Sequence, residues 1–580
     1  MIFQINSSNY DIKYDIDDIE YNYEDENNLV LLDLNLSKDK SIKIKERVIE
    51  WLKFPTNQNA EDIFKGGYFI LHYNKTSKAL TIYRDPSGIK TGYYHLNSNG
   101  LTISTKVHYL AKKVGVKSFN NKSISMLLSL DFCFDGYTIY NDIHEFKMGM
   151  EICFVNLIIQ SEKKSIIELA KKDNTLGFKE NVVRLRDEIN TVHANLASAN
   201  NVVYLSGGID SCVMLSALHD VVDTKDIRSV SFKVKGTDQD ETVYAQSIAK
   251  HLNVPCEIKE IDPFKPVSLD YFENTILKMN NPYIGCWIFT PEGELNETFF
   301  AGQDTRLHTP DVHNIDAFVF DLYINKRKLP LSNLSENIFS TVHKKLNLER
   351  SSSKPLKHLD RLSAVGNPEK YLLKYIFKFK EQLKGTSLED NAKELKEFFN
   401  LSGNITNKRH LYNEIVRIKW GEQYTDDIRY MQDMARISST YIAMPFYDKQ
   451  LSEFSSSIPF EYASMFEQGK DTFTNSNVRV NKIILREAYK DKLNPDVLYR
   501  KKAVSITNFL LFEGSIGKNV YKIIKNDLNS NHSFIKHYGL EKLVLPFQSK
   551  KNGWEIEDQN YLMKIYYIST LCVYFKNILI

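Results

Sequence analysis

Residues 206–211, Ser-Gly-Gly-Ile-Asp-Ser, have the composition of a phosphate-binding turn. The apolar run 202–205 before them predicts a buried strand, and the apolar stretch 212–218 after them predicts a helix. Two adjacent glycines permit a sharp turn and let a ligand come close to the backbone. The N–H groups of such a turn and the N-terminus of the following helix attract anions. The segment therefore predicts a phosphate-binding loop, and an ordinary strand–turn–helix junction is the alternative.

The side chains of this loop indicate which phosphate ligand it binds. The hydroxyls of Ser206 and Ser211 can donate to phosphate oxygens, while Gly207 and Gly208 offer backbone N–H groups. Asp210 would repel a bare phosphate, so its presence predicts a Mg²⁺ ion beside one. The loop thus fits Mg-ATP whose pyrophosphate leaves while the adenylate stays on a substrate.

Two different patterns surround the loop. Roughly the first 165 residues predict short strands separated by turns. From about residue 178 strands alternate with helices, and the strands 202–205 and 227–234, with one helix between them, predict a parallel βαβ unit. Further predicted elements are a helix at 241–252, strands at 254–261 and 299–302, helices at 371–382, 388–399 and 410–432, and a loop or disordered link at 348–358.

Length and composition are those of a large globular protein. The 580 residues suggest two or three domains, and 42% hydrophobic and 12% aromatic residues suffice for large cores. A net charge of +2 gives no indication of a nucleic-acid partner, and we expect none.

The six cysteines lie far apart without a CxxC motif, which predicts neither a zinc site nor a disulfide framework and favours a cytoplasmic location. The N-terminal residues lack the pattern of a signal peptide. The apolar run 565–575 between Lys564 and Lys576 is too short to cross a bilayer, so we expect a buried C-terminal helix and no membrane insertion.

Several further segments occur in the order found in a known family. Those in the N-terminal part are 66–69 (Gly-Gly-Tyr-Phe), 82–90 (Ile-Tyr-Arg-Asp-Pro-Ser-Gly-Ile-Lys) and 132–150. Those in the C-terminal part are 206–211, 444–449 (Met-Pro-Phe-Tyr-Asp-Lys), 483–489 (Ile-Ile-Leu-Arg-Glu-Ala-Tyr) and 498–502 (Leu-Tyr-Arg-Lys-Lys). In order and spacing, the chain resembles the asparagine synthetase-like amide ligases.

This resemblance implies a fold of two parts, α/β and α+β in class. Residues 1–170 would form an Ntn-type, glutaminase-like αββα sandwich. Residues 171–580 would form an adenine-nucleotide α-hydrolase-like parallel α/β sheet with a large helical region. ATP and Mg²⁺ are the implied cofactors.

The resemblance assigns one site residue, and the predicted strands and helices suggest two more. The Arg500-x-Lys502 spacing makes Lys502 the candidate catalytic cation near the α-phosphate, with Lys501 as the competing choice. Adenine is expected near Phe232, at the end of a strand of the parallel sheet. Glu241 is expected at the start of the next helix, where a carboxylate stabilises the helix dipole.

The chain departs from the family at three places. Position 2 is Ile2, where glutamine-dependent members carry a nucleophilic Cys, so we expect no glutamine hydrolysis and a structural or platform role for the N-terminal part. The family's metal loop is degenerate from Gly302 to Asp304; Asp304 is the candidate second Mg²⁺ ligand opposite Asp210, and a helix-capping role is the alternative. Tyr441 replaces a glutamate that helps hold the amine in β-lactam-forming relatives.

These features imply ATP-dependent amide formation through an acyl-adenylate, with release of AMP and pyrophosphate. Because glutamine does not supply the amine, the best match is a lasso-peptide macrolactam synthetase, which joins an Asp or Glu side chain to the peptide's own N-terminal amine. A leader peptidase and a leader-binding protein would be its partners, and region 320–440 would form the peptide cleft.

Two alternatives remain. One is a ligase of a small-molecule carboxylic acid that uses ammonia or a small amine, including β-lactam formation. The other is a catalytically inactive nucleotide-binding scaffold. Whether Arg436, His308 or Tyr441 contacts substrate stays open.

Overall fold

A computed structural model describes most of the chain. The described residues are 1–8, 11–16, 20–34, 43–133, 136–236, 240–281, 283–287, 297–302, 314–327, 364–365, 367–376, 383–398, 401, 404–419, 425–500, 507–550, 554 and 559–579. The predicted link 348–358 lies outside them. Most of the stretch 328–382, which is part of the predicted cleft region 320–440, also lies outside them.

Two antiparallel sheets occupy the first part of the chain. Their strands are β1 (Ile2–Asn6), β2 (Ile12–Asp15), β3 (Tyr21–Glu24), β4 (Asn28–Leu34), β5 (Tyr68–Asn74), β6 (Ala79–Arg84), β7 (Tyr93–Asn97), β8 (Gly100–Ser104), β9 (His144–Glu145), β10 (Met150–Val155) and β11 (Ile158–Lys164). One sheet has the order β2-β1-β8-β7-β9 and the other β11-β10-β6-β5-β4-β3.

The two sheets pack face to face, and helices cover their outer faces. In β4, Leu29 and Leu31 face the other sheet, while Val30 and Leu32 face α1 (Ile44–Trp51) and α2 (Asn57–Phe64). Because both faces of this strand are buried, residues 29–32 form a continuous apolar run rather than an alternating pattern. On the opposite side, α3 (Val107–Val114) and α4 (Asn121–Leu130) pack into a core shared with the C-terminal helices.

A third sheet is parallel and has the order β14-β13-β12-β15-β16. Its strands are β12 (Asn201–Tyr204), β13 (Ile227–Val234), β14 (Cys256–Ile261), β15 (Thr298–Phe300) and β16 (Tyr441–Ala443). The helices that accompany it are α5 (Phe178–Leu196), α6 (Ile209–Val221), α7 (Thr242–His251) and α8 (Leu269–Lys278). The predicted parallel βαβ unit is thus confirmed, and the third predicted strand begins two residues later than expected.

The order of this sheet places the loop after β12 at a reversal of the chain's direction. From β12 the chain moves to one side for β13 and β14, and β15 and β16 are then added on the other side. Open parallel sheets bind ligands at the carboxyl ends of strands at such a reversal.

The remaining helices pack on the parallel sheet, on α3, α4 and α8, or on one another. They are α9 (Asn314–Ile324), α10 (Pro368–Tyr371), α11 (Glu389–Phe398), α12 (Lys408–Lys419), α13 (Thr425–Ile437), α14 (Lys449–Ser457), α15 (Phe460–Ala463), α16 (Ile483–Ala488), α17 (Pro495–Leu498), α18 (Thr507–Glu513), α19 (Ser515–Leu528), α20 (Phe534–Tyr538), α21 (Glu541–Ser549) and α22 (Gln559–Tyr574). A hairpin of β17 (Glu467–Lys470) and β18 (Asn477–Val480) lies before α16.

Some predicted helices differ from the observed ones. The helix predicted at 410–432 corresponds to α12 and α13, with residues 420–424 between them outside the described part. The one predicted at 371–382 begins with α10 and a π-helical turn, Leu372–Ile376. The C-terminal helix α22 is buried as predicted but starts earlier, at Gln559.

The mixed α/β class with a parallel sheet is confirmed, whereas the boundary at residue 170 and the two named fold types stay predictions. Among the described residues, no helix combines the length and the hydropathy of a membrane span.

Candidate active site

The loop between β12 and α6 folds around its two serines. The backbone N–H of Ser206 donates to Ser211 Oγ at 3.2 Å, and the two hydroxyl oxygens lie 3.1 Å apart. Ser211 Oγ also donates to the Gly208 carbonyl at 3.0 Å. The Gly208 carbonyl in turn accepts from the backbone N–H of Cys212 at 3.0 Å, which begins the hydrogen-bond ladder of α6. The first turn of α6 therefore presents its N–H groups at the open end of the helix, beside the serine hydroxyls.

Gly207 is required by both backbone conformation and space. Its φ of +68° is in the left-handed region, which glycine adopts without strain. A Cβ atom at this position would lie 2.6 Å from Tyr244 Cβ and 2.8 Å from Ala245 N. The loop thus packs directly on α7, and a side chain at Gly207 would push the two apart.

Lys482 pairs with the carboxylate of the loop. Its ammonium nitrogen lies 2.6 and 2.7 Å from the two carboxylate oxygens of Asp210. The Lys482 side chain is 11% exposed and the Asp210 side chain 27% exposed. Lys482 has a left-handed φ of 59° at the N-terminal end of α16, next to the family segment that starts at Ile483. Lys482 was not among the site residues predicted from the sequence, and its position one residue before that segment was the available signal.

Arg500 holds the other side of the loop. Its Nη1 donates to the Ser206 carbonyl at 2.9 Å, and its Nη2 donates to the Glu241 carboxylate. The guanidinium lies 4.8 Å from the centroid of the Tyr244 ring, in cation–π geometry. Burial lowers the pKa of Arg500 from its usual value. Glu241 is located at the start of α7 as predicted, but its carboxylate pairs with Arg500.

Arg486 connects α16 with the segment that carries Arg500. Its Nε donates to the Asn481 carbonyl at 2.8 Å, and its Nη1 donates to the carbonyls of Val497, at 3.2 Å, and Leu498. Burial lowers the pKa of Arg486 to about 10, although the nearby Asp210 carboxylate acts in the opposite direction. Arg486 therefore fixes the end of α17 two residues before Arg500.

The end of β15 also reaches the loop. A Cβ atom on Gly302 would lie 3.3 Å from the Asp210 carbonyl oxygen and 3.3 Å from Ser211 Cα. Gly302 thus lies beside the start of α6, and its assignment to the nucleotide site stays a prediction.

Phe232 lies on the same side of the parallel sheet as two other aromatic residues. Its ring centroid is 5.7 Å from that of Tyr204, which is 5.4 Å from that of Phe299. The three rings come from adjacent strands β13, β12 and β15 and form a continuous row.

Four predicted site positions lie outside the described residues: Asp304, His308, Lys501 and Lys502. Among the residues that the structure does describe, no group of three or more His, Cys, Asp or Glu side chains is arranged to hold a metal ion. Asp210 is therefore the described member of the predicted pair of metal ligands.

Two of the residues at which the chain departs from the family, Ile2 and Tyr441, are buried. Ile2 is 9% exposed and pairs with Ser104 of β8. The hydroxyl of Tyr441 lies 3.1 Å from that of Tyr21, in the antiparallel sheets. Arg436 also contacts this part of the chain, since its Nη2 donates to Asp33 at 2.6 Å.

Comparison with known proteins identifies a family. The model of the asparagine synthase family matches residues 190–275 and 299–566. A search of functionally curated proteins gives no significant match.

Two solved structures show local similarity. One is glutamine phosphoribosylpyrophosphate amidotransferase from B. subtilis complexed with ADP and GMP, at 10% identity and a TM-score of 0.17, over 42% of this chain and 48% of that chain. The other is glutamine-dependent NAD+ synthetase from Acinetobacter baumannii in complex with ADP, at 16% identity and a TM-score of 0.13, over 29% of this chain and 32% of that chain. Both alignments span less than half of the solved chain, and TM-scores this low carry no argument about activity.

The family match, in contrast, covers more than half of the chain. It includes the loop 206–211 together with Lys482 and Arg500, which the structure brings to that loop. The chain therefore belongs to the asparagine synthase family of ATP-dependent amide ligases.

Proposed function

We propose that the protein activates a carboxylate of a peptide with Mg-ATP and closes a macrolactam on the peptide's own N-terminal amine. The carboxylate is an Asp or Glu side chain, and the product is a lasso-type ring. The observation that carries the ATP reaction is the convergence of the glycine loop, Asp210 and Lys482 at the carboxyl end of β12.

The loop residues suit a departing pyrophosphate. Gly207, with its left-handed φ, and the first turn of α6 direct N–H groups to one place, where they can bind phosphate oxygens. The hydroxyls of Ser206 and Ser211 lie on the same side, within 3.1 Å of each other. Backbone N–H groups held this rigidly stabilise developing negative charge without reorganisation.

The donor set fits a Mg²⁺ ion. Asp210 is a partly exposed carboxylate beside the phosphate loop, and hard oxygen ligands are what Mg²⁺ prefers. Asp210 would hold the ion together with Asp304 and phosphate oxygens. When bound, the ion supplies charge neutralisation for the leaving pyrophosphate.

Three cations of the chain have separate roles in this scheme. Lys482 neutralises Asp210 before ATP binds and can move to a pyrophosphate oxygen afterwards. Arg500 holds the Ser206 carbonyl, so that the loop keeps its shape. Lys502, two residues further, would stabilise charge on the α-phosphate and on the carbonyl oxygen attacked by the amine.

The order of bond changes follows from the chemistry of carboxylates. A carboxylate oxygen attacks the α-phosphorus, the bond to the bridging oxygen breaks, and pyrophosphate leaves. The peptide's amine then attacks the acyl carbon, loses a proton, and AMP departs. Ile2 in place of the family's Cys supports an amine source other than glutamine.

Isotope transfer tests this proposal. Peptides with a free N-terminus and an internal Asp or Glu, carrying ¹⁸O in the side-chain carboxylate, would be incubated with Mg-ATP. Aspartate with ammonia and small β-amino acids would form a parallel panel. We expect labelled AMP, pyrophosphate, and a peptide that has lost one water.

Variants assign the result to this site. Lys502→Ala and Asp304→Asn should abolish labelled AMP, whereas Lys518→Ala, at an exposed position of α19, should not. AMP formed only with a small acid and an amine would establish a conventional ligase instead. No AMP with any acid, despite ATP binding, would point to the inactive scaffold.

A further inference from the structure

Helix α13 carries a charged face that is nearly buried. Arg429, Asp433 and Arg436 are spaced four and three residues apart, so they share one side of the helix. The side chains of Arg429 and Arg436 are 12% and 11% exposed, and Asp433 is buried. Charged side chains are rarely buried without partners, so the partners identify what this face is built to contact.

The partners of Arg436 belong to the antiparallel sheets. Its Nη2 donates to Asp33 Oδ2 at 2.6 Å, and its Nη1 donates to Thr105 Oγ1 at 2.6 Å. Lys90 Nζ lies 3.0 Å from the other oxygen of Asp33, whose side chain is 0% exposed. Burial acts to raise the pKa of Asp33, but the charges of Lys90 and Arg436 hold it below its usual value. Asp33 is thus a buried anion held by two cations, Lys90 and, from α13, Arg436.

A second ionic contact is formed about two helical turns away, at Arg429. Arg429 Nη2 donates to Glu145 Oε1 at 2.9 Å, and Arg84 Nη1 donates to the same oxygen at 2.7 Å. Between the two arginines, Asp433 accepts hydrogen bonds from the Asn280 side chain and from the Asn281 backbone N–H, both at 3.0 Å. Each charge on this face of α13 therefore has a matching group opposite it.

The contacts continue along the chain beyond α13. Tyr441 of β16 meets Tyr21, Ser87 Oγ donates to the Tyr447 carbonyl, and Lys449 Nζ donates to Glu61 at 3.0 Å. Only residues 438–440 separate α13 from β16, so the position of the helix determines that of the strand.

The strand, in turn, leads to the candidate active site. β16 pairs in parallel with β15, Thr298 being opposite Tyr441. Two residues after β15, Gly302 contacts the start of α6 beside Asp210. A shift of α13 would thus reach the phosphate loop through two hydrogen-bonded strands.

We propose that Arg429 and Arg436 form an ionic clamp through which the antiparallel sheets position β16 and β15 for the ATP reaction, while Asp433 binds the same helix face to Asn280 and Asn281. Arg436 is then a positioning residue that acts on the site through these strands. The N-terminal part of the chain would contribute to amide formation by holding β15 and β16 in place. Only the nucleotide readout of this inference rests on the proposed function.

Hydrogen exchange of the full-length protein tests the clamp without any substrate. We expect Arg436→Met to speed exchange in the segments 298–302 and 441–447 by at least about tenfold, since local opening of a restrained element becomes cheaper. Exchange in the hairpin β17–β18, which α13 does not contact in this scheme, should stay unchanged. Arg436→Lys should give an intermediate result.

Mg-ATP binding by calorimetry provides the second readout. The dissociation constant should rise at least about threefold in Arg436→Met, a change of the size that positioning mutations produce in coupled sites. Arg417→Met is the matched control, because Arg417 lies on the neighbouring helix α12, is 52% exposed and pairs only locally with Glu414. This control should leave both readouts at their wild-type values.

Unchanged exchange in 298–302 and 441–447, with a lowered melting temperature, would overturn the proposal and leave a contact that merely stabilises the fold. If Arg436→Met does not fold, hydrogen exchange and Mg-ATP binding can be measured on the milder variants Arg436→Lys and Thr105→Val. Wild-type values in both of these variants would also overturn the proposal. Absence of ATP binding by the wild type would count against the proposed function, while the exchange result would still decide the clamp.

Discussion

The ammonium group of Lys482 lies within 2.7 Å of both carboxylate oxygens of Asp210, although 272 positions separate the two residues in sequence. A cation therefore already occupies the place where a Mg²⁺ ion would bind Asp210. In the proposed reaction, a metal ion at this carboxylate would compete with Lys482, and the released ammonium group would then neutralise a phosphate of bound ATP.

Replacing Lys482 by Met should separate its competition with the metal ion from its stabilisation of the leaving pyrophosphate. We expect Mn²⁺, used as a probe for Mg²⁺, to bind the nucleotide-free variant more tightly, because Asp210 has lost its competing cation. AMP formation should fall about 100-fold, since a charge that stabilises the leaving pyrophosphate is missing. Paramagnetic titration with Mn²⁺ and an AMP assay measure the two effects. Lys490→Met, at a side chain 64% exposed, is the control, and unchanged AMP formation in Lys482→Met would contradict the assignment.

Gly207→Ala should lower the free energy of unfolding by more than the strain of an alanine in a left-handed backbone conformation alone. Gly236 also has a positive φ, of +85°, but a Cβ there meets no atom within 4 Å, so Gly236→Ala measures the conformational cost alone, about 1 kcal/mol. Gly207→Ala adds the contact with Tyr244 at 2.6 Å. We expect a clearly larger loss of unfolding free energy and weaker ATP binding. Equal denaturation midpoints for the two variants would show that the loop can move away from α7 without cost.

Arg500→Met should loosen the loop and weaken Mg-ATP binding about tenfold, because the Ser206 carbonyl and the Glu241 carboxylate both lose a charged donor. Arg500→Lys keeps the charge but cannot form the same fork of hydrogen bonds, so it should recover only part of the affinity. Arg479→Met is the control, since Arg479 is exposed and lies 3.9 Å from the Phe466 ring. Calorimetric titration of the three variants measures the effect, and wild-type affinity in Arg500→Met would refute it.

Acid should destabilise the protein through three buried histidines. Burial lowers the pKa of His72 and His193 to about 4 and that of His108 to about 3. Below about pH 6.5 the unfolded chain takes up a proton at each site, whereas the folded chain does not until its lower pKa is reached. Stability is therefore fully present above pH 6.5 and declines as the pH falls toward 4.

His193→Phe should remove one of these contributions. A phenyl ring can keep the stack of His193 on Phe300, whose ring centroids lie 5.8 Å apart, but cannot bind a proton. We expect the loss of unfolding free energy between pH 7 and pH 5 to shrink by about 2 kcal/mol. Denaturant unfolding at both pH values measures the change. The exposed His532→Gln should leave the pH dependence as it is, and a wild-type slope in His193→Phe would contradict the buried neutral state of His193.

The strand–turn–helix geometry around residues 206–211 could be predicted because its signal is local. The apolar run of β12, the two glycines and the helix after them are contiguous, and the residue types of each segment determine its local backbone conformation. Lys482 and Arg486 could not be predicted in the same way. Their contacts with Asp210 in α6 and with the end of α17 exist only because the fold brings α16 close to those helices.

The charged face of α13 was hidden for a related reason. Its periodicity is visible in the sequence, but a helix face with charges is usually a solvated one. The partners Asp33, Thr105 and Glu145 come from three separate segments more than 280 residues upstream. Nothing near Arg436 in the sequence indicates that it is buried.

The pairing of β15 with β16 has a consequence for how the chain folds. More than a hundred residues lie between these adjacent strands, so their contact requires closure of a long loop, whereas β12, β13 and β14 are joined by short crossovers. During synthesis β12, β13, β14 and β15 can pair early, and the outer edge of β15 would stay open until α13 and β16 emerge. β16, the last strand to join the parallel sheet, directly follows α13, which packs on the antiparallel sheets formed earlier. The arginines of α13 can therefore guide β16 into register.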